Sequence, residues 1–94
     1  MTTIELVYFQ GCPNADIART NVRAALQALG RPTDITEWDQ LAPEAPARIK
    51  RYGSPTILVT GRDITGVGEG TGATCRADGA PSAATIRAAL EATA

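Results

Sequence analysis

Cys12 and Cys75 are the side chains in this 94-residue chain best suited to nucleophilic or metal-binding chemistry. The sequence contains no histidine, which excludes the Ser-His-Asp triad, the Cys-His pair and the common zinc sites that need an imidazole. Two cysteines alone also cannot close a tetrahedral zinc site. What remains is the chemistry of a thiol surrounded by backbone dipoles and carboxylates.

Cys12 directly precedes Pro13, at the point where an apolar run gives way to polar residues. If Pro13 is the first helical residue, Cys12 is the N-cap, and its sulfur can meet backbone N–H groups that have no partner within the helix. Those donors and the helix dipole predict a thiol pKa lowered from about 8.5 into the range of roughly 3.5–7.5. Gly11 and the cap position favour an exposed thiol; the alternative is a small buried hydrophobic residue.

Hydrophobic periodicity predicts the elements that position Cys12. Residues 3–9 are apolar on both faces, as in a central strand, and a helix begins at Pro13 and is stopped by Gly30 and Pro32. A short strand over 34–38 follows. A strand, a crossover helix and a strand make the two strands parallel.

The second half of the chain predicts a helix over about 43–52, a strand over 56–60, a tight turn over 61–63 and a returning strand over 64–65. The prolines of the second helix lie in or before its first turn, and Gly53 can close its end. Pro81 and Ser82 open a last helix. Four of its residues share one apolar face: Ala83, Ile86, Ala89 and Leu90.

The position of Cys75 follows from this order of elements. The third strand runs antiparallel to the first, and the fourth returns to the edge of the sheet that carries Cys12. The long connection from Gly66 to Pro81 therefore leaves from that edge, which predicts that the two thiols are near one another. A loop of such length is typical of functional or disordered segments. The alternative is that Cys75 lies on the surface or fills space in the hydrophobic core.

The order of elements resembles the thioredoxin-like superfamily in its minimal, glutaredoxin-like form, and three motifs carry the resemblance over nearly the whole chain. "YFQGCPNA" resembles the active-site turn, "GSPTILV" the cis-proline loop and "GRDITGVG" the hairpin and glycine pair. A narrower similarity is to small thioredoxin-like proteins associated with mercury resistance and organomercurial lyase.

The resemblance implies an α/β fold (βαβαββα) whose four-stranded mixed sheet has helices on both faces. It implies that Cys12 is the nucleophile and that the peptide bond before Pro55 is cis. Substrate would bind at Gly11, Pro13, Ser54, Pro55 and Thr56.

One departure from the family pattern changes the expected activity. The Cys-x-x-Cys motif is absent because Ala15 stands where the second cysteine would be. The spacing resembles the monothiol glutaredoxin arrangement, but Gln10-Gly11 replaces the basic residue usually found upstream. Ordinary glutathione-dependent activity is therefore not expected.

Three functions fit these residues. In the first, Cys12 exchanges with a disulfide of a protein or a low-molecular-weight compound, and Cys75 resolves the mixed disulfide. In the second, Cys12 and Cys75 bind a soft metal ion, Hg(II) or Cu(I), for transfer to another protein. The third is a thioredoxin-like interaction module without turnover. Whether the protein is an enzyme stays open, and no cofactor is expected.

Composition narrows the partners and the compartment. Residues 1–94 suffice for one domain. Nine basic and ten acidic residues give a formal net charge of −1, without the basic stripe of a nucleic-acid-binding protein. No apolar run approaches the roughly 20 residues that span a bilayer, and no leader segment is evident, so neither nucleic acid nor a membrane is expected as a partner. We expect a cytoplasmic protein, where two cysteines are more often thiols than a permanent disulfide.

Overall fold

The computed structural model describes residues 3–32, 35–66 and 79–93 and confirms an α/β protein with a four-stranded mixed sheet. Two α-helices and one short 3₁₀-helix accompany the sheet in this part of the chain. The elements in chain order are β1 (Ile4–Tyr8), α1 (Pro13–Ala28), β2 (Thr36–Asp39), the 3₁₀-helix (Ala47–Ile49), β3 (Thr56–Val59), β4 (Arg62–Asp63) and α2 (Ala83–Thr93).

β1 is a central strand of the sheet, whose order is β2-β1-β3-β4. β1 pairs with β2 in parallel, with Val7 opposite Trp38, and with β3 antiparallel, with Val7 opposite Thr56. The parallel pair follows from the crossover through α1, as predicted. The start of β3 therefore lies beside the end of β1, where the chain turns towards α1.

The two ends of α1 confirm the local sequence signals. Cys12 is the N-cap, with φ −78° and ψ 113°, and Pro13 is the first helical residue. At the other end Gly30 has a φ of +66°, in the left-handed region that favours glycine, and the amide of Arg31 donates to the Leu26 carbonyl over 2.9 Å. This hydrogen bond closes the last turn of the helix.

Both α-helices pack against the same face of the sheet. α2 begins after Ser82, whose Oγ accepts a hydrogen bond from the Thr85 amide over 3.1 Å, as a helix N-cap does. The apolar stripes predicted for α1 and α2 meet β1 and β3 in one core. Its buried members are Ile4, Leu6, Ala18, Val22, Ala25, Leu26, Ile57, Val59, Ile86 and Leu90.

The opposite face of the sheet corrects the predicted fold. The helix expected over 43–52 does not form; turns and the 3₁₀-helix replace it, so the α-helices of the described residues cover one face and not both. Pro46 has a ψ of 145° and holds the chain extended before the 3₁₀-helix. The Gln40 side-chain amide then donates to the carbonyls of Ile49 and Tyr52, so a side chain supplies hydrogen bonds that a longer helix would have made.

The hairpin between β3 and β4 is confirmed, but its turn begins one residue earlier than predicted and β4 begins two residues earlier. Thr60 and Gly61 form the turn, with φ angles of +54° and +80°, and β4 is Arg62–Asp63 and not 64–65. Two consecutive positive φ angles are the signature of the two-residue turn whose twist matches a hairpin. In the described part of the chain neither α-helix is long and apolar enough to cross a membrane.

Candidate functional site

A tight turn between β1 and α1 places Cys12 just beyond the C-terminal end of the central strand β1. The Cys12 amide donates to the Phe9 carbonyl over 3.3 Å, and Gly11 has a φ of +91°. A side chain at that angle would be strained, so the turn needs a glycine. The Ala15 amide donates to the Cys12 carbonyl over 3.1 Å and starts the first turn of α1. The predicted cap position of Cys12 is therefore confirmed.

The orientation of the thiol differs from the prediction. Cys12 is 5% exposed, so the expectation of an exposed residue is wrong. Its Sγ lies 3.8 Å from the Ser54 carbonyl oxygen, in a contact that a thiol makes as donor. The Cys12 side chain makes no capping hydrogen bond to the amides of α1. The loop before β3 lies against the sulfur, and this contact buries it.

That loop carries the predicted cis peptide bond between Ser54 and Pro55. Ser54, Pro55 and Thr56 are all buried, and Thr56 Oγ1 donates to the Gly53 carbonyl over 2.7 Å. The Ser54 hydroxyl is fully buried, and no hydrogen-bond partner for it is found among the described residues. Native structures seldom leave such a group unpaired, and this hydroxyl belongs to the residue whose carbonyl contacts the thiol.

A surface pocket of about 450 Å³ opens next to Cys12. The predicted site residues Gly11 and Pro13 line it, whereas Ser54, Pro55 and Thr56 are not among its described walls. Of the other described walls, Cys12 was predicted as a site residue and the rest were not. The lining residues are Tyr8, Phe9, Gln10, Gly11, Cys12, Pro13, Ala15, Asp16 and Arg19.

Arg19 lines the Cys12 pocket and binds two carboxylates, of which Asp16 is also among the described walls. Its Nε donates to Glu37 Oε1 over 2.7 Å, its Nη1 to Asp16 Oδ1 over 2.6 Å, and its Cζ lies 5.3 Å from the centre of the Tyr8 ring. Burial lowers the pKa of Arg19, but the hydrogen bonds and charges of Glu37 and Asp16 outweigh it and raise that pKa overall. The i,i+3 spacing of Asp16 and Arg19 is the sequence signal for this pair.

Cys75 lies outside the described residues, so its predicted pairing with Cys12 and the predicted two-cysteine metal site stay predictions. Gly79, four positions later in the sequence, lies beside the first turn of α1, since a β-carbon there would be 3.8 Å from Asn14 Nδ2. Among the described residues no group of three or more cysteine, aspartate or glutamate side chains is arranged to hold a metal ion.

A second arginine-carboxylate cluster lies on the face of the sheet opposite the α-helices. Glu5 Oε2 accepts hydrogen bonds from Trp38 Nε1 over 2.7 Å and from Arg48 Nη2 over 2.6 Å. Burial raises the pKa of Glu5, but the hydrogen bonds from Arg48 and Trp38 and the arginine charge outweigh it and lower that pKa overall. A glutamate within an otherwise apolar strand is the sequence signal for such a buried pair.

Comparison with protein-family models, with curated proteins and with solved structures found no match. The case for a function therefore depends on the geometry and chemistry of the Cys12 pocket.

Proposed function

We propose that this protein carries out thiol-disulfide exchange through Cys12 on a thioredoxin-like domain. One observation carries the proposal: Cys12, at the N-cap position of the 16-residue helix α1, lines a surface pocket and contacts the Ser54 carbonyl of a cis-proline loop. The cap and the described pocket walls lie within residues 8–19, whereas the loop that contacts the sulfur lies 42 positions further along the chain.

The topology supports the thioredoxin-like assignment. The parallel β1-β2 pair, the antiparallel β3-β4 hairpin and the sheet order β2-β1-β3-β4 agree with the fold that the motifs imply. The cis-proline precedes β3 and lies beside the N-terminus of α1, which is also what that fold requires. The replacement of the second helix by a 3₁₀-helix is the departure.

The N-terminus of α1 supplies the conditions for a reactive thiolate. Amides of the first turn and the positive end of the helix dipole stabilise a negative charge on a cap residue. The protonated thiol donates to the Ser54 carbonyl, and an ionised sulfur has no proton to donate there. Ionisation therefore favours rotation of the sulfur away from that carbonyl and towards the amides of α1.

Exchange then follows in two balanced steps. The Cys12 thiolate attacks one sulfur of a disulfide; a bond forms between the two sulfurs, the original sulfur-sulfur bond breaks, and the other half of the substrate leaves as a thiolate. We propose that the Cys75 thiolate then attacks the Cys12 sulfur of the mixed disulfide; a Cys12–Cys75 disulfide forms, and the remaining half of the substrate leaves as a thiolate. A small-molecule thiol that attacks the substrate sulfur instead releases Cys12 as a thiolate. The Ser54 hydroxyl, for which no partner is found among the described residues, is our candidate hydrogen-bond donor to the ionised sulfur.

The test uses intact-mass spectrometry after reaction with 2-hydroxyethyl disulfide. We expect Cys75→Ser to trap a mixed disulfide on Cys12, the wild-type protein to form an internal disulfide, and Cys12→Ser to react slowly. Ser54→Ala should fold normally but react more slowly. If Cys75→Ser forms no adduct, or if Cys12→Ser reacts as fast, Cys12 is not the exchanging thiol and the proposal is wrong. If the protein shows no exchange but binds Hg(II), and if either cysteine substitution abolishes that binding, the soft-metal function is favoured.

A further inference from the structure

The charge of the Cys12 pocket comes from Asp16 and Arg19, the two ionised side chains among its described walls. Arg19 directs two of its nitrogens at carboxylates, one of Asp16 and one of Glu37, so its positive charge is already compensated. The Asp16 carboxylate is 88% exposed and shares this one guanidinium with Glu37, so the three groups together carry a net charge of −1. The pocket therefore has no uncompensated cation to receive an anionic substrate.

Asp16 lies one helical turn beyond Cys12. Side chains four residues apart on a helix are neighbours, with β-carbons about 5–6 Å apart. Asp16 is also the acidic residue in the first turn of α1, where its negative charge interacts favourably with the positive end of the helix dipole and partly neutralises it. A substrate that approaches Cys12 therefore meets a negative charge first.

A neighbouring pocket extends this negative surface across Tyr8, which lines both pockets. This second pocket has a volume of about 300 Å³, and carboxylates of Glu37, Asp39 and Glu44 lie in its walls. Its described walls contain no basic side chain. Arg19 at 2.7 Å and Arg23 at 3.9 Å approach Glu37 from outside these walls, so the negative charge of this pocket comes mainly from Asp39 and Glu44. The other lining residues are Tyr8, Trp38, Ala42 and Ala45.

We infer that Cys12 reacts with cationic disulfides in preference to anionic ones, and that Asp16 is the residue that sets this preference. The inference rests on the proposed exchange function and names its substrate class: a disulfide flanked by positive charge, as beside a lysine or arginine side chain of a protein. An acidic small-molecule disulfide is disfavoured, because Asp16 and Glu37 share the single cation Arg19 and leave a net negative charge beside Cys12.

The test measures the charge preference at Cys12 directly with three methanethiosulfonates: the cationic ethyltrimethylammonium, the neutral methyl and the anionic ethylsulfonate reagents. Each transfers its thioalkyl group to the Cys12 thiolate; a disulfide bond forms, the sulfur-sulfonyl bond breaks and methanesulfinate leaves. The Cys75→Ser protein presents Cys12 as its one cysteine. N-acetylcysteine amide, measured in parallel, corrects for the intrinsic reactivity of each reagent.

We expect the corrected cationic-to-anionic rate ratio to exceed that of the model thiol by about two- to fivefold at low salt, which is the scale of one nearby charge in water. Asp16→Asn should bring the ratio close to that of the model thiol, and 0.5 M salt should do the same by screening. Glu91→Gln is the matched control, since Glu91 lies on α2 and lines neither pocket.

A ratio equal to or below that of the model thiol, or a ratio that Asp16→Asn leaves unchanged, would overturn the inference while exchange itself stands. If Cys12 reacts with none of the three reagents, the inference is overturned as well. In that case the thiol is closed to substrates of any charge, and the 2-hydroxyethyl disulfide experiment would fail in parallel.

Discussion

Arg48 and Arg19 form two clusters built from the same parts on opposite faces of the sheet. Each guanidinium binds a carboxylate of a β-strand and lies within 6 Å of the centre of an aromatic ring. Their carboxylates differ in burial. The Glu5 side chain that binds Arg48 is 10% exposed, whereas Glu37, which binds Arg19, is 28% exposed.

Because of this difference, we expect the loss of stability on removing each arginine to depend on how well water can reach the carboxylate that is left. A carboxylate left without its cation inside the protein keeps its desolvation cost, whereas one near the surface regains water. We therefore assign the Arg48 cluster to stability. The Arg19 cluster, in the wall of the Cys12 pocket, contributes mainly to the charge that a substrate meets.

The largest expected effect is that of Arg48→Met. This substitution keeps much of the side-chain volume but leaves the Glu5 carboxylate with Trp38 as its one remaining donor among the described side chains. We expect the free energy of unfolding to fall by about 1.5–3 kcal/mol, less than for a fully buried pair because Arg48 itself is half exposed. Urea denaturation measures this, with Arg48→Lys as the control that keeps the charge. A loss below about 0.5 kcal/mol would contradict the structural role.

The pH dependence of stability gives a smaller effect at the same cluster. The pKa of Glu5 is lowered in the folded protein, so this carboxylate contributes stability above its unfolded pKa, near 4.5, and loses it as the pH falls through the folded value. The effect should be smaller than that of Arg48→Met, since protonation removes the charge instead of leaving it unpaired. Urea denaturation between pH 7 and pH 3 should show a steeper loss for the wild type than for Glu5→Gln. Parallel curves would mean that Glu5 has no shifted pKa.

The two clusters also show what sequence reasoning can and cannot find. The strand β1, the helix α1 and the cap position of Cys12 depend on local signals, such as Pro13 and Gly30, and these predictions are confirmed. The partners of Glu5 come from residues 33 and 43 positions away in the chain. No local pattern specifies which basic residue reaches a buried glutamate.

The wrong predictions have two causes: contacts with residues distant in the sequence, and backbone conformations that the residue type rarely adopts. The prediction of a helix over 43–52 assumes that Pro46 lies in its first turn, but Pro46 has an extended backbone. The Gln40 side chain also donates hydrogen bonds to two carbonyls of the segment that follows. The hairpin turn was misplaced because Thr60 adopts a positive φ, which β-branched residues rarely do. The burial of Cys12 depends on Ser54, which lies 42 positions away in the sequence.

Arg19→Met should have a smaller effect on stability than Arg48→Met. Glu37 keeps Arg23 at 3.9 Å and contact with solvent, so we expect a loss of about 0.5–1 kcal/mol in the free energy of unfolding. The same substitution makes the pocket more negative and should raise the cationic-to-anionic rate ratio at Cys12 further. Arg48→Met should leave that ratio unchanged, since Arg48 does not line the Cys12 pocket. A loss of stability as large as that of Arg48→Met would remove the distinction between the clusters.

Asp16→Asn is expected to have the smallest effect on stability and thereby separates charge from folding most clearly. The Asp16 side chain is 88% exposed, and its pair with Arg19 is an i,i+3 surface pair, which is worth little in water. Loss of the pair and of the favourable helix-dipole interaction should together cost at most about 0.5–1 kcal/mol. Urea denaturation of Asp16→Asn and Glu91→Gln, which breaks a similar exposed i,i+4 pair, should give similar small losses. Only Asp16→Asn should also change the charge preference at Cys12, because only that carboxylate lies in the wall of the pocket that a substrate must enter.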